Sequence, residues 1–282
     1  PIIWLTNNPI LAINLYTLLT FPIAGLGMYL LVKSFVKHEW ASVLSGAMFA
    51  FSYSRFGQMS HVPALSSQWL PYYIYGLYWF LREGKIRYLT AVLVSFLLLL
   101  GSSVYLGVFA IVVGLIMTPA FLSSLWSHLK IAVFPLIVTA ALSVLLIFPY
   151  MRLKAEHPEI TRSLEESSAR AAYQQDYFSV TQTSVLSRFL KSNEGERTLY
   201  PTLALLILAG LGILQWRKKE YRFSILLFST ITLTGLVLSF GPERPFSIGP
   251  FDTGYITLPY AYLYKVFPLL QILRVPARFS IV

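Results

Sequence analysis

The 282-residue sequence contains no cysteine and few charged residues. The absence of cysteine excludes disulfides, thiolate metal sites and cysteine nucleophiles, and it leaves the redox compartment open. Charged residues make up 12% of the chain, about half of the roughly 25% found in soluble globular domains. Because 56% of the residues are hydrophobic and the mean hydropathy is +0.64, a polar surface cannot cover the apolar side chains. The sequence therefore predicts a polytopic membrane protein.

The sequence also lacks the motifs of several enzyme and transporter classes. It contains no Walker loop, no HExxH and no GxSxG pattern, so ATP-driven transport, zincin-type proteolysis and rhomboid-like serine chemistry lack their characteristic parts. No carboxylate falls inside the long uncharged runs, whereas ion-coupled transporters usually place Asp, Glu or His in the membrane. This absence weakens the prediction of a coupled transporter.

Uncharged runs as long as a membrane-crossing helix follow one another along the chain. A helix needs ~20 residues to cross ~30 Å of hydrocarbon. The runs predict six transmembrane helices in 1–151, two in 200–240 and the start of a ninth in 273–282. The longest run, 88–129, is interrupted at Gly101 and is predicted to be a hairpin of two helices. The predicted fold class is an all-α, polytopic transmembrane bundle of about eight spans.

The short connections between these spans alternate between basic and nearly uncharged. The basic connections contain Lys33, Lys37, Arg82, Lys85, Arg87, Lys130 and 217–222, and the opposite short connections contain only Arg55. Basic loops stay on the cytoplasmic side of a membrane, which predicts that 152–199 and 241–272 face outward. The net charge of +10 then reflects topology and predicts no nucleic-acid partner.

Two predicted external segments are too long to be turns. Residues 152–199 carry both signs of charge and a capping-box pattern from Ser163 to Glu166, which predicts short interfacial helices. Residues 241–272 are rich in proline and glycine and then in tyrosine, a composition typical of a membrane interface. We therefore expect one external helical loop and one external Pro/Gly/aromatic loop.

Four residues near the predicted external face are candidates for binding a phosphate group. Arg274 and Arg278 bracket Pro276, and guanidinium groups match phosphate oxygens, although snorkelling to lipid headgroups is an alternative. Arg55 is the only cation of the short external loops. Tyr105 follows a serine-rich turn, where it would line a polar cavity or serve as an ordinary interfacial tyrosine.

Three further residues are candidates for catalysis. His61 has a side chain that titrates near physiological pH and would transfer a proton, although a hydrogen-bonded structural role is the alternative. Asp176 and Asp252 are local candidates for the carboxylate base that deprotonates an acceptor hydroxyl. The residues alone predict no metal site and identify no cofactor.

Several short motifs occur in an order that resembles a known family. They are Asn8-Pro-Ile-Leu-Ala-Ile-Asn14, the loop from Arg55 to His61, Gln68-Trp-Leu-Pro71, Glu196-Arg-Thr-Leu-Tyr-Pro201 and Arg274-Val-Pro-Ala-Arg278. In this order the chain resembles the GT-C superfamily of integral membrane glycosyltransferases, and most of all its YfhO-like branch. The resemblance implies residence in a membrane, here expected to be a prokaryotic plasma membrane.

The resemblance also implies an activity and its partners. It implies transfer of a sugar from a polyprenyl-phosphate donor to an acceptor at the external face, with cations holding the phosphate. Family members use an acidic residue of the first external loop as base or metal ligand, which leaves a divalent metal open. We expect that loop upstream of Pro1, in a longer protein. The alternatives are a flippase or transporter of lipid-linked saccharides and a non-catalytic membrane assembly protein.

Overall fold

A computed structural model describes residues 2–59, 61–157, 163–182, 184–193, 197–248, 251–266, 270–271 and 275–281. Most of these residues are helical, and two small two-stranded sheets accompany the helices. The α-helices are α1 (Ile2–Thr6), α2 (Pro9–Val36), α3 (Glu39–Ala50), α4 (Tyr53–Gly57), α5 (Val62–Leu65), α6 (Leu70–Glu83), α7 (Ile86–Ser102), α8 (Val104–Met117), α9 (Leu122–Glu156), α10 (Leu164–Ala169), α11 (Leu203–Leu214), α12 (Lys219–Ser239) and α13 (Pro259–Val266). The strands are β1 (Ser179–Val180), β2 (Lys191–Ser192), β3 (Glu243–Ile248) and β4 (Phe251–Thr257). The predicted helical class is confirmed.

Three helical segments of the described chain are long and apolar enough to cross a membrane. They are Pro9–Val36, Val104–Glu156 and Lys219–Ser239. The second segment contains α8 and α9, separated by a 3₁₀ helix at Thr118–Phe121. The apolar helices α7 and α11 are shorter, with 17 and 12 residues. The chain therefore has the architecture of a membrane protein with at least these three candidate spans.

The first long helix begins and ends at residues that the local sequence selects. The Asn8 side chain accepts hydrogen bonds from the N–H groups of Ile10 at 3.0 Å and Leu11 at 3.1 Å, and proline at the first helical position needs no such partner. At the other end Lys37 adopts a left-handed conformation, and its N–H donates to the Lys33 carbonyl. The side-chain cap and the left-handed residue thus define α2.

The helices α2 and α3 pack closely because two glycines face each other. A Cβ added at Gly46 would lie 2.6 Å from the Gly25 carbonyl oxygen, closer than real contacts allow. Glycine at this position therefore permits the approach. At the end of the hairpin, Lys33 and Glu39 form an ion pair at 2.9 Å.

The helices α6, α8 and α9 all pack against α7. Tyr72 in α6 donates to the Ile23 carbonyl of α2 at 3.0 Å. A Cβ added at Gly76 would meet the Tyr88 carbonyl at 3.0 Å, so α6 and α7 lie in contact. In turn α9 packs along α7, with Ala132 in a buried cluster with Leu89.

The buried core lies among α6, α7, α8, α12 and a 3₁₀ helix at Pro276–Ile281. Its largest cluster includes Tyr78, Leu99, Phe109 and Phe279, and the Phe109 and Phe279 rings are 4.3 Å apart. By contrast, α9 and α11 expose most of their apolar side chains. A surface of this kind is suited to hydrocarbon and not to water.

The two predicted external segments contain regular structure. Ser163 accepts the Glu166 N–H at 3.1 Å, so the predicted capping pattern begins α10. Within 241–272 the structure shows an antiparallel pair, β3 with β4, followed by α13. The predicted ninth span at 273–282 is described only over 275–281, where the 3₁₀ helix forms.

Segments that the charge pattern assigns to one face of the membrane contact one another. The Tyr53 hydroxyl donates to Thr181 Oγ1 at 2.8 Å. The Tyr105 hydroxyl accepts the Val275 N–H at 2.8 Å. A buried cluster of Ala172, Leu199 and Val275 with Tyr105 connects the two pairs, so these segments meet at one end of the bundle, which we call the external end.

Candidate functional site

The segment from 170 to 180 folds onto the last turn of α12. The Ala172 N–H donates to the Ser239 carbonyl at 2.9 Å, and the hydroxyls of Tyr177 and Ser239 lie 2.7 Å apart. Because both contacts fix this segment, they also fix the position of the residue between them, Tyr173.

Asp176 holds the same segment from within. Its side chain is 2% exposed, and its carboxylate accepts the Tyr173 N–H at 2.8 Å and an Asn193 amide N–H at 3.0 Å. Its backbone carbonyl accepts the Leu199 N–H at 3.1 Å. The structure therefore encloses the Asp176 carboxylate and pairs it with two donors, and its role as the catalytic base stays a prediction.

Two arginines lie against the ring of Tyr173. The Arg244 guanidinium is 4.2 Å from the ring centroid and the Arg197 guanidinium 5.2 Å from it. Arg244 also lies 5.6 Å from the Phe240 ring, and Arg197 donates a hydrogen bond to the Ala169 carbonyl. Aromatic rings hold cations in this way without neutralising them, so the pair keeps its positive charge.

Arg244 lines a cleft of about 510 Å³. The residues that line this cleft are Tyr173, Gln174, Gln175, Phe240, Arg244 and Leu258. The Nε and Nη2 atoms of Arg244 are enclosed and make no hydrogen bond to any residue that the structure describes. Burial lowers the pKa of Arg244, while Tyr173 and Asp176 act to raise it. An enclosed cation with unused donors is suited to an oxyanion.

A second arginine and tyrosine pair lies nearby. The Arg278 guanidinium lies 4.8 Å from the Tyr105 ring centroid, so the structure brings two predicted binding residues together. Pro276, on the same 3₁₀ helix, lies beside Gly241, three residues before Arg244. The third predicted binding residue of this region, Arg274, lies outside the described residues.

Arg55 is buried and is not among the described residues that line the cleft. It is 2% exposed, and it donates to Ser67 Oγ at 2.7 Å and to the Thr20 carbonyl at 3.3 Å. Its guanidinium also lies within 6 Å of the Phe21 and Phe49 rings. Burial lowers the pKa of Arg55 to about 10. In this structure Arg55 joins α4 to α2, with its Nε enclosed and unpaired among the described residues, and its role in phosphate binding stays a prediction.

Of the other two predicted catalytic residues, His61 is not among the described residues that line the cleft. His61 is exposed at the start of α5, where its N–H donates to the Gln58 carbonyl at 2.8 Å. Asp252 pairs with Ser247 in the β3–β4 hairpin, but its side chain lies outside the described part of the chain. Among the described residues no group of three or more His, Asp or Glu side chains is placed to hold a metal ion.

Sequence reasoning missed the two residues on which the cleft depends, Tyr173 and Arg244. A signal for Arg244 was present, because it is a cation of the predicted external face, where topology requires none. The same argument selected Arg278. Tyr173 carried no signal, since its role depends on Asp176 and Ser239, which fix the segment around it.

Comparisons with known proteins identify no similar protein. No family model, no curated protein and no solved structure matches the chain. The assignment of a function therefore depends on the chemistry of the cleft and on the membrane character of the fold.

Proposed function

We propose that this protein is a multi-pass membrane glycosyltransferase of the GT-C type, which transfers a sugar from a polyprenyl-phosphate donor to an acceptor at the external face. The observation that carries the proposal is Arg244, which lines a cleft of about 510 Å³ and has two enclosed guanidinium nitrogens without a hydrogen-bond partner among the described residues. A phosphate oxygen satisfies such donors, and the nearby Arg197 adds a second positive charge.

The rest of the cleft suits a saccharide joined to that phosphate. Its volume lies within the roughly 300–1,000 Å³ of small-ligand sites. Tyr173 and Phe240 offer flat apolar surface, and the amides of Gln174 and Gln175 offer donors and acceptors for sugar hydroxyls. The exposed apolar faces of the surrounding helices are suited to the membrane and to the polyprenyl chain.

The proposed topology has about eight spans and includes shorter helices in addition to the three long segments. It adds α3, α6, α7 and α11 as short spans, because their ends alternate between basic and nearly uncharged connections. The contacts at the external end support this arrangement, since they join segments from four different connections.

The proposed reaction exchanges one bond at the sugar's anomeric carbon. The acceptor hydroxyl oxygen bonds to that carbon, the bond from the carbon to the phosphate oxygen breaks, and the phosphate leaves with the electron pair. Arg244 and Arg197 stabilise the charge that develops on the phosphate. The acceptor's proton passes to a carboxylate base, a role for which Asp252 stays a prediction.

The test is transfer by the protein in proteoliposomes that contain radiolabelled polyprenyl-phosphate sugars. We expect Arg244→Gln to lower turnover about 100-fold, as the loss of one oxyanion donor typically does. Arg188→Gln is the matched control, because Arg188 is an exposed arginine of the same external segment. Wild-type turnover in Arg244→Gln would overturn the proposal.

The same proteoliposomes distinguish the proposed transferase from a transporter. A transferase yields a sugar-bearing acceptor and free polyprenyl phosphate. Movement of the intact donor across the bilayer, abolished by Arg244→Gln and accompanied by no transfer, would assign the cleft to recognition by a flippase.

A further inference from the structure

A second cavity, of about 680 Å³, lies at the opposite end of the bundle from the cleft. It is formed where the end of α2, the end of α6, the 3₁₀ helix Thr118–Phe121 and the start of α12 meet. Its lining residues are Ser34, Phe35, Val36, Lys37, Tyr78, Arg82, Ala120, Phe121, Glu220, Tyr221, Phe223 and Ser224. Among them are the basic residues that the charge pattern places at the cytoplasmic interface.

Charges of both signs line this cavity without neutralising one another. Lys37 and Arg82 come from α2 and α6, and Glu220 comes from the first turn of α12. The ion pairs seen in the described chain involve other residues, and the Arg82 side chain donates to the Tyr78 hydroxyl at 2.8 Å. A ligand that carries a negative and a positive group therefore satisfies both sides of the cavity.

The remaining wall of the cavity is apolar and aromatic. Phe35, Phe121 and Phe223 contribute ring surface, and the Phe35 ring packs edge-on against Phe228 at 5.2 Å. Two of the helices that form the cavity, α2 and α12, continue into exposed apolar faces. A charged, polar chamber that adjoins apolar helix surface at the basic end is suited to an amphiphile lying in the membrane.

We infer that this cavity binds the headgroup of a phospholipid that carries a phosphodiester and a primary ammonium group, as phosphatidylethanolamine does. Lys37 and Arg82 hold the phosphate, and Glu220 receives the ammonium. The hydrocarbon tails leave along the exposed faces of the helices. This site shares no described lining residue with the cleft at the external end, so the lipid inference can be tested independently of the proposed glycosyl transfer.

The test is native mass spectrometry of the purified full chain with defined lipids. We expect retention of phosphatidylethanolamine to exceed that of phosphatidylglycerol and phosphatidylcholine. Loss of a hydrogen bond to a charged group weakens binding by about tenfold or more. We therefore expect Arg82→Gln to weaken the binding of both phosphatidylethanolamine and phosphatidylglycerol by this factor. Glu220→Gln removes the preference for phosphatidylethanolamine over phosphatidylglycerol and leaves binding of the phosphate.

Arg87→Gln is the matched control, because Arg87 is an exposed arginine of the same end that contacts Tyr88 and lies outside the cavity lining. Equal lipid retention by Arg82→Gln and Arg87→Gln would overturn the inference. Equal retention of phosphatidylcholine and phosphatidylethanolamine would overturn the role of Glu220. Displacement of the lipid by equimolar water-soluble phosphoethanolamine would show that the site takes a free metabolite and would overturn the lipid assignment.

Discussion

Arg55 shows how a charged side chain is held inside an apolar bundle. Its donors reach Ser67 and the Thr20 carbonyl, and the Phe21 and Phe49 rings lie close to the guanidinium. Removal of this side chain leaves a cavity and takes a hydrogen-bond donor away from the buried Ser67 hydroxyl, and both changes destabilise a fold. The contribution of Arg55 is therefore expected to appear in stability and not in ligand binding.

We expect Arg55→Ala to lower the free energy of unfolding by about 3 kcal/mol, in the range of large-to-small core substitutions. Arg55→Met keeps most of the volume and should cost less. Thermal unfolding of the purified protein in detergent measures both changes. If a variant unfolds like the wild type but no longer binds the donor, the result would support the phosphate-binding role that the sequence predicts for Arg55.

Asp176 offers a similar test between positioning and catalysis. Asp176→Asn places an amide where the Tyr173 N–H and the Asn193 amide both donate, so one buried donor loses its acceptor. The expected cost is about 1–3 kcal/mol in stability, with a raised KM for the donor and a kcat within a few-fold of wild type. A loss of kcat by orders of magnitude at unchanged stability would instead make Asp176 the base.

At the scale of elements, the sequence predicts helices better than it predicts the hairpin. The start of α2 at Asn8 and Pro9 is predicted by local capping chemistry, and the interruption near Gly101 coincides with the end of α7. The β3–β4 hairpin was not predicted. Its strands contain Pro245 and Gly254, which locally favour turns, and the pairing becomes visible only when the two strands meet.

The contact between α2 and α3 gives a prediction with an internal control. Gly46→Ala places a methyl group 2.6 Å from the Gly25 carbonyl oxygen, and backbone must move to admit it. We expect a loss of about 1–3 kcal/mol, as for other overpacked sites. Gly210→Ala in α11 is the control, because nothing lies within 4 Å of its added Cβ. Thermal unfolding that ranks the two variants equally would show that α2 and α3 do not pack as described.

At the scale of the whole molecule, the structure has two chemically different ends. One end gathers Tyr105, Tyr173, Arg244 and Arg278, and the other gathers Lys37, Arg82 and Glu220 around the second cavity. The charge pattern predicts which segments lie on the same side of the membrane, because basic loops stay on the cytoplasmic side during insertion, whatever the later packing of the helices. It does not predict which external cations share a cleft, since that depends on how residues 170–180 fold back onto α12.

Because the chain has no cysteine, a single introduced thiol reports the side of the membrane without background labelling. We expect Lys219→Cys to react with an impermeant maleimide only after the membrane is opened, and Arg188→Cys to react in intact cells. Both positions are exposed. Labelling of the two positions from the same side would contradict the predicted topology and, with it, the external position of the cleft.

In the proposed topology α11 is a short span, and it sets a condition on the membrane itself. It has 12 residues, no buried side chain, and a length of about 18 Å at 1.5 Å per residue, against ~30 Å for a typical hydrocarbon core. Since no described helix buries its apolar side chains, the proposed span requires the surrounding bilayer to thin around it or the helix to shift along the membrane normal. The segment that precedes α11 includes Arg197. In this topology its position relative to the membrane depends on the acyl-chain length of the surrounding lipids, because that length sets the mismatch at α11.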